Sequence, residues 1–268
     1  GRSLSDEWIN GANLVVEGVE VELEGQEAIR IINVYGIVTA EDESGYRSSD
    51  VLELNAEENY TYDANGNLTN DGTRVYTWTP AGRLNSVTET DTTKVENTYD
   101  GLGRRIGKEV YNWDTNTANW SLLTDHSYVY DGLKLIREIQ HSAFSTQHWY
   151  YVWGLDMGGS GGLVARINSD GDIHYYEHDA NGNVIGLVNA DTGEEDAGYT
   201  YDPFGRMLTE EGTEENALKF SSKYYDEEVG LYYYGYRYYS PETGRWLSRD
   251  PLGEQSSLNL YNFVNNDP

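Results

Sequence analysis

Residues 62–68 read Tyr62-Asp63-Ala64-Asn65-Gly66-Asn67-Leu68, and residues 178–184 repeat them almost unchanged as His178-Asp179-Ala180-Asn181-Gly182-Asn183-Val184. Asn-Gly supplies the positive φ that a tight hairpin turn needs, and the preceding Asp can cap the turn with its own carboxylate. The flanking aromatic and aliphatic residues then fall on the two strands of one hairpin. Further copies are Tyr99-Asp100-Gly101-Leu102-Gly103-Arg104-Arg105-Ile106, Tyr130-Asp131-Gly132-Leu133 and Tyr201-Asp202-Pro203-Phe204-Gly205-Arg206-Met207-Leu208. A degenerate copy runs from Trp78 to Leu84. Repetition of one supersecondary unit predicts stacked hairpins in a long sheet.

The spacing of the copies is irregular, with longer insertions around 107–128 and 136–176. These contain strand-like runs of their own, such as His148-Trp149-Tyr150-Tyr151-Val152-Trp153. Gly158-Gly159-Ser160-Gly161-Gly162 reads as a flexible loop, because it lacks the lysine and the spacing of a phosphate-binding loop. Upstream, Leu14 to Leu23 alternates until Glu24-Gly25, Ile29 to Val38 forms a second run and Val51 to Leu54 a third. The expected organisation is a β-rich lead-in at 1–59, either a small sandwich or the first turns of the main sheet. A hairpin sheet at 60–230 and a closing element at 231–268 follow.

The last segment is LYYYGYRYYSPETGRWLSRDPLGEQSSLNLYNFVNNDP. Its tyrosines at 232–234, 236, 238 and 239 alternate or double as in a strand buried on one or both faces. Arg237 sits inside that aromatic run, where its guanidinium needs a carboxylate or a ring to stack on. Asp250, before Pro251, is the candidate partner.

Gly235-Tyr236-Arg237-Tyr238-Tyr239, Gly244 to Gly253 and Asn259-Leu260-Tyr261 to Pro268 resemble the RHS repeat-associated core. The hairpin units resemble the YD repeats of the same RHS/YD-repeat family. Together the resemblance covers about residues 60–268. It implies an all-β fold of antiparallel hairpins in a curved or spiral sheet, part of a hollow shell that encloses or presents a C-terminal cargo, often a toxin. It also implies export to the cell surface or outside, and aspartyl-type self-cleavage just downstream of the core. Carried over residue by residue, the self-cleavage roles fall on Arg237 and Asp250. Many members have Asp after Arg-Tyr-Tyr, whereas this chain has Ser240, so the second acid is unassigned and Asp267 is only a stand-in. The alternative for Arg237 and Asp250 is an ion pair that locks the closing element.

Composition bounds the remaining readings. Only 38% of the 268 residues are hydrophobic, a third of them aromatic, with 29 glycines, and no stretch sustains a helical apolar period, so composition also favours an all-β domain. The net charge of −28, from 46 acidic and 18 basic residues, argues against nucleic acid and anionic membranes as partners. There is no cysteine and no apolar run long enough to span a bilayer. No cofactor is expected. Asp63–Asn67 and Asp179–Asn183 invite a calcium reading but lack the twelve-residue ligand spacing that ends in a bidentate Glu. His126, His141, His148, His174 and His178 are too scattered for a zinc set. A glycosidase carboxylate pair is uninformative among so many acids. No multiple-turnover activity is expected. Two further partner classes stay open at this point: a glycan or cell-surface ligand stacked on Trp113, Trp120, Trp149 or Trp153, and identical copies paired at open sheet edges into a homo-oligomer.

Overall fold

The computed structural model describes residues 60–155, 162–255 and 258–264, and the backbone of four strands upstream of them. The chain divides into two compact units, Gly1–Asn59 and Tyr60–Pro268. In the first, β1 (Asn13–Val16), β2 (Val19–Val21), β3 (Val34–Glu41) and β4 (Arg47–Leu54) form an antiparallel sheet in the order β2-β1-β3-β4. The alternating run from Leu14 is therefore two strands: Val16 pairs with Val19, so the chain reverses between them.

The second unit holds a fourteen-stranded antiparallel meander in which every strand pairs with its neighbours in sequence. Its strands are β5 (Thr61–Tyr62), β6 (Leu68–Asn70), β7 (Arg74–Trp78), β8 (Leu84–Glu89), β9 (Thr93–Tyr99), β10 (Arg105–Asp114) and β11 (Asn119–Asp131). They continue as β12 (Lys134–Ser142), β13 (Thr146–Trp153), β14 (Leu163–Ile167), β15 (Ile173–His178), β16 (Val184–Asn189), β17 (Glu195–Tyr201) and β18 (Met207–Gly212). The chain is all-β, and the two long insertions supply strands to the same sheet. Residues 156–161, with most of the glycine-rich run expected to be a flexible loop, lie outside the described residues.

Each repeat unit closes a hairpin from an odd to an even strand, so in a meander all these turns lie at one end of the sheet. Their chemistry is local. Asp63 accepts the amides of Asn65 and Asn67 on one oxygen, both at 2.9 Å, and the Asn67 side-chain amide on the other at 2.8 Å. Asp179 does the same with Asn181 and Asn183. Asp100 and Asp202 each accept two amides of their own turns. At most of these ends the pairing register shifts beside the unit's aromatic residue, as at Thr77/Trp78 and Thr200/Tyr201, and a bulge there re-aims the side chain.

That aromatic then ties its hairpin to the previous one. Trp78 donates its indole N–H to the carbonyl of Leu68, and Tyr99 its hydroxyl to that of Leu84, both at 2.7 Å. Tyr201 reaches Val184 in the same way, and Trp153, outside the quoted units, makes the equivalent bond to Leu135. The aromatic and aliphatic positions of the repeat are thus the two halves of one inter-hairpin contact. Leu68, Leu84, Leu135 and Val184 are all buried in the main core.

A third sheet, β19 (Tyr224–Asp226), β20 (Leu231–Tyr233), β21 (Tyr238–Ser240) and β22 (Arg245–Trp246), closes the unit. Its first three strands are almost wholly buried. Alternation divides the tyrosines between two cores: Tyr233 and Tyr238 join the sheet's main core, while Tyr232 and Tyr239 pack with Phe220 and Phe263. The closing segment docks on the repeat turns. The Leu68 amide donates to the Leu247 carbonyl, Tyr261 hydroxyl to the Gly66 carbonyl, and Tyr239 hydroxyl to the Phe204 carbonyl. Ser222 Oγ donates to Gly182, and the Arg83 guanidinium to the Tyr236 carbonyl.

Candidate functional site

Arg237 ends the tight loop between β20 and β21, which is closed by a 2.9 Å bond from the Tyr234 amide to the Arg237 carbonyl. The loop turns at Gly235, whose φ is +86°. The Arg237 guanidinium lies 4.0 Å over the Trp246 ring, and its Nη2 is 3.1 Å from Asp250 Oδ2. The other Asp250 oxygen caps the Asp-Pro-Leu-Gly turn by accepting the Leu252 amide at 2.8 Å. The Asp250 amide donates to the Leu260 carbonyl. The two residues singled out from the sequence are therefore in contact, at 19% and 17% side-chain exposure. Burial lowers the Arg237 pKa, and the Asp250 charge opposes that shift. One buried guanidinium nitrogen, Nη1, has no hydrogen-bond partner.

Among the described residues Asp250 is the only carboxylate ion-paired with Arg237. Ser240 is buried at the end of β21, where its hydroxyl accepts the Thr243 amide. Asp267 lies outside the described residues. Chemically, the pair is a solvent-reachable carboxylate held in one orientation by a turn amide and a ring-stacked cation.

A larger charged cluster, absent from the expectations, lies between β10 and the third sheet. Arg105 is fully buried, with Nη1 2.5 Å from Asp226 Oδ2 and the guanidinium about 4.8 Å from the rings of Tyr128, Tyr224 and Tyr233. Lys108 Nζ is 3.2 Å from the other Asp226 oxygen and 2.9 Å from Glu228. Burial pushes the Asp226 carboxyl up, but the charges of Arg105 and Lys108 outweigh it and leave the pKa below the ordinary value. Glu138 is lowered in the same way: burial opposes ionisation, and the bond from His126 Nδ1 at 2.9 Å overcomes it. Tyr151 and Tyr224 hydroxyls donate to the same carboxylate. The sequence signal for this cluster is slight: Arg105 doubles the usual single arginine of a repeat turn, and Asp226 ends a Tyr-Tyr-Asp strand.

Beside the cluster a cavity of about 320 Å³ opens between the sheet and residues 215–228, with Lys108, His126, Glu138, Arg166 and Lys219 in its lining. The tryptophans divide. Trp149 and Trp153 pack on the main core, while Trp113 and Trp120 meet edge to face at 5.1 Å near the β10–β11 turn. Of the histidines, His126 and His174 bind carboxylates and His148 binds Arg137. Among the described residues no three His, Cys, Asp or Glu side chains are grouped to hold a metal.

The sequence model of the Teneurin YD-shell family matches residues 37–268. The tRNA3(Ser)-specific nuclease WapA of Bacillus spizizenii is 33% identical over 223 residues, which are 79% of this chain and 9% of the nuclease. Double-stranded DNA deaminase toxin A of Burkholderia cenocepacia is 27% identical over 251 residues, 83% of this chain and 17% of the toxin. The chain thus spans only a small share of these relatives. The crystal structure of TcdB2-TccC3-Cdc42 superposes with a TM-score of 0.65 and 23% identity over 88% of this chain and 12% of the other, a likeness of fold. Stacked hairpins, a closing aromatic sheet and a family match over most of the length agree, and the chain belongs to the Teneurin YD-shell family, the RHS/YD-repeat scaffold that its repeats resemble.

Proposed function

We propose that this chain is the closing part of a shell scaffold in a longer, exported protein, and that it encloses or presents a cargo carried C-terminal to it. The observation that carries this reading is the docking of residues 218–264 across the repeat turns, which covers one end of the sheet with the last part of the family motif. The names of the relatives support it. One is a tRNA nuclease and one a DNA deaminase toxin, and this chain matches a small share, 9% and 17%, of proteins with such different activities. A shared scaffold accounts for a match across such different activities better than a shared effector.

Arg237 and Asp250 are proposed to serve one intramolecular cut downstream of the core. Asp250 would take a proton from water as it adds to the scissile carbonyl, and a second acid would protonate the departing amine. Each cut consumes one water and breaks one peptide bond. Arg237 would hold the Asp250 carboxylate in place through their ion pair.

Intact mass spectrometry of the parent polypeptide, extended past Pro268, tests the proposal. The wild type should appear as two pieces parted shortly after the core, and Asp250→Asn as one. An uncut wild type, or a mutant cut like the wild type, removes the catalytic role and leaves the pair as a structural clasp.

A further inference from the structure

The closing segment passes over the repeat turns unevenly. Tyr261 seats on Gly66, Ser222 on Gly182 and Tyr239 on Phe204. A Cβ at Gly66 would strike Arg249, and one at Gly205 the Phe220 ring. The turns at 100–104 and 131–134 have no such cover at their tips: a Cβ at Gly101 or Gly132 meets nothing within 4 Å. Both open tips carry a leucine, and Leu102 is 72% and Leu133 62% exposed. Arg104 ties the two turns together by donating to the Gly132 carbonyl at 3.1 Å. The row continues through Arg83, which lies against Gly103, to Tyr236, whose exposed ring has the Arg83 guanidinium 4.7 Å above it.

Between these turns and the closing segment opens a cavity of about 150 Å³, lined in part by Leu133 itself. Tyr130, Leu135, Trp153 and Leu218 supply apolar wall. A cavity of roughly that volume holds a group the size of benzene, so it fits one phenylalanine or leucine side chain. Among the described residues, Arg104 and Lys223 are the only charged groups in the lining, although the chain has 46 acidic residues. Lys134 stands beside them, 5.6 Å from the Trp153 ring. The two turns, with Arg83 and Lys223, thus bring four cations together with two carboxylates, Asp100 and Asp131. At physiological salt only charges within about 8 Å act strongly on a docked segment, so this local reversal of sign outweighs the distant acids.

A pocket for one apolar side chain, a row of exposed leucines leading away from it and a local positive excess match an acidic polypeptide segment with a large apolar anchor. A small anion would leave the leucines uncovered, and a basic segment would meet Arg104 and Lys223. A second copy of this chain would bring its own net charge of −28 against the first. We infer that the tips of the turns at 100–104 and 131–134, with the cavity behind them, are a docking surface for an acidic segment of a separate protein, anchored by phenylalanine or leucine. The inference goes beyond the shell reading and does not depend on it.

The test uses this chain with fluorescein-labelled peptides of about ten residues. One carries Phe and Leu among Asp and Glu, a second has Ser in place of Phe and Leu, and a third has Lys in place of Asp and Glu. Fluorescence anisotropy at about 150 mM salt should show the first binding most tightly. Leu133→Asn and Lys223→Gln should each weaken it roughly fivefold or more. Leu208→Asn and Lys94→Gln alter the same residue types outside the cavity lining and should leave affinity within about twofold. Equal weakening by both pairs, or equally tight binding of the serine or lysine peptide, would overturn the inference. The parent extended past Pro268 should bind the first peptide as this chain does; loss of binding there would assign the surface to the parent's own chain. Binding to phosphatidylserine vesicles, or self-association, that Leu133→Asn abolishes would likewise replace the proposed partner with a membrane or a second copy. None of these outcomes involves cargo or cleavage, so failure here leaves the shell reading to its own test.

Discussion

Arg105 and Arg237 are both guanidiniums set among aromatic rings and paired with one aspartate, yet they occupy different energetic positions. Arg105 and Asp226 are removed from water altogether, and Lys108 shares the same carboxylate. Asp226→Asn would leave two buried cations without their shared counter-charge, a change expected to cost about 3–5 kcal/mol in urea unfolding. Arg237 keeps access to solvent, so Arg237→Met should cost about 1 kcal/mol or less in the same assay. Equal losses would show that the two pairs are equivalent structural clasps. The folded-state pKa values of Asp226 and Glu138 are depressed. Their stabilisation is therefore complete above the unfolded carboxylate values near pH 4 and is lost as pH falls through the lower folded values. In an acid titration of unfolding free energy, Asp226→Asn should flatten the acid limb relative to wild type. An unchanged slope would mean that the Asp226 proton is not linked to unfolding.

At the scale of the element, the repeat turns share a backbone requirement but not a tertiary one. Gly82 and Gly205 close equivalent turns at φ of +72° and +84°. A Cβ at Gly82 would meet nothing within 4 Å, whereas one at Gly205 would lie 2.5 Å from the Phe220 ring. Gly82→Ala should cost about 1–2 kcal/mol for the left-handed backbone alone. Gly205→Ala adds a clash with a buried ring, worth roughly 1–3 kcal/mol more. It should also speed hydrogen exchange in β20 and β21, which pack on that ring through Tyr232 and Tyr239. Similar losses at both glycines would show that Phe220 moves aside without cost. The same comparison separates what a hairpin needs from what the closing sheet needs of it.

Over the whole molecule, a net charge of −28 on 268 residues opposes compaction. The buried pairs are shielded from salt and the surface repulsion is not, so sodium chloride should stabilise the fold. Raising it from about 20 mM to about 500 mM should lift the thermal midpoint by several degrees in differential scanning calorimetry. A fall would mean that exposed ion pairs such as Arg206 with Asp202 outweigh the general repulsion.

The hairpins were legible because their determinants are local. Asp63, Gly66 and Asn67 make the turn with bonds among themselves, and alternation places the adjoining side chains on one face or the other. Arg237 and Asp250 were legible as partners because a cation inside an aromatic run must find a counter-charge nearby, and they stand 13 residues apart in one segment. The Arg105–Asp226 pair spans a separation of 121 residues and follows no pattern of spacing. It exists only because a meander collects its odd-to-even turns at one end and the third sheet closes over them. Composition likewise specified an acidic chain but not where the acids are unpaired. That depends on which lysines and arginines the fold buries, because a cation withdrawn from water fixes its own partner and leaves others, such as Glu215 and Glu227, without an ion pair among the described residues.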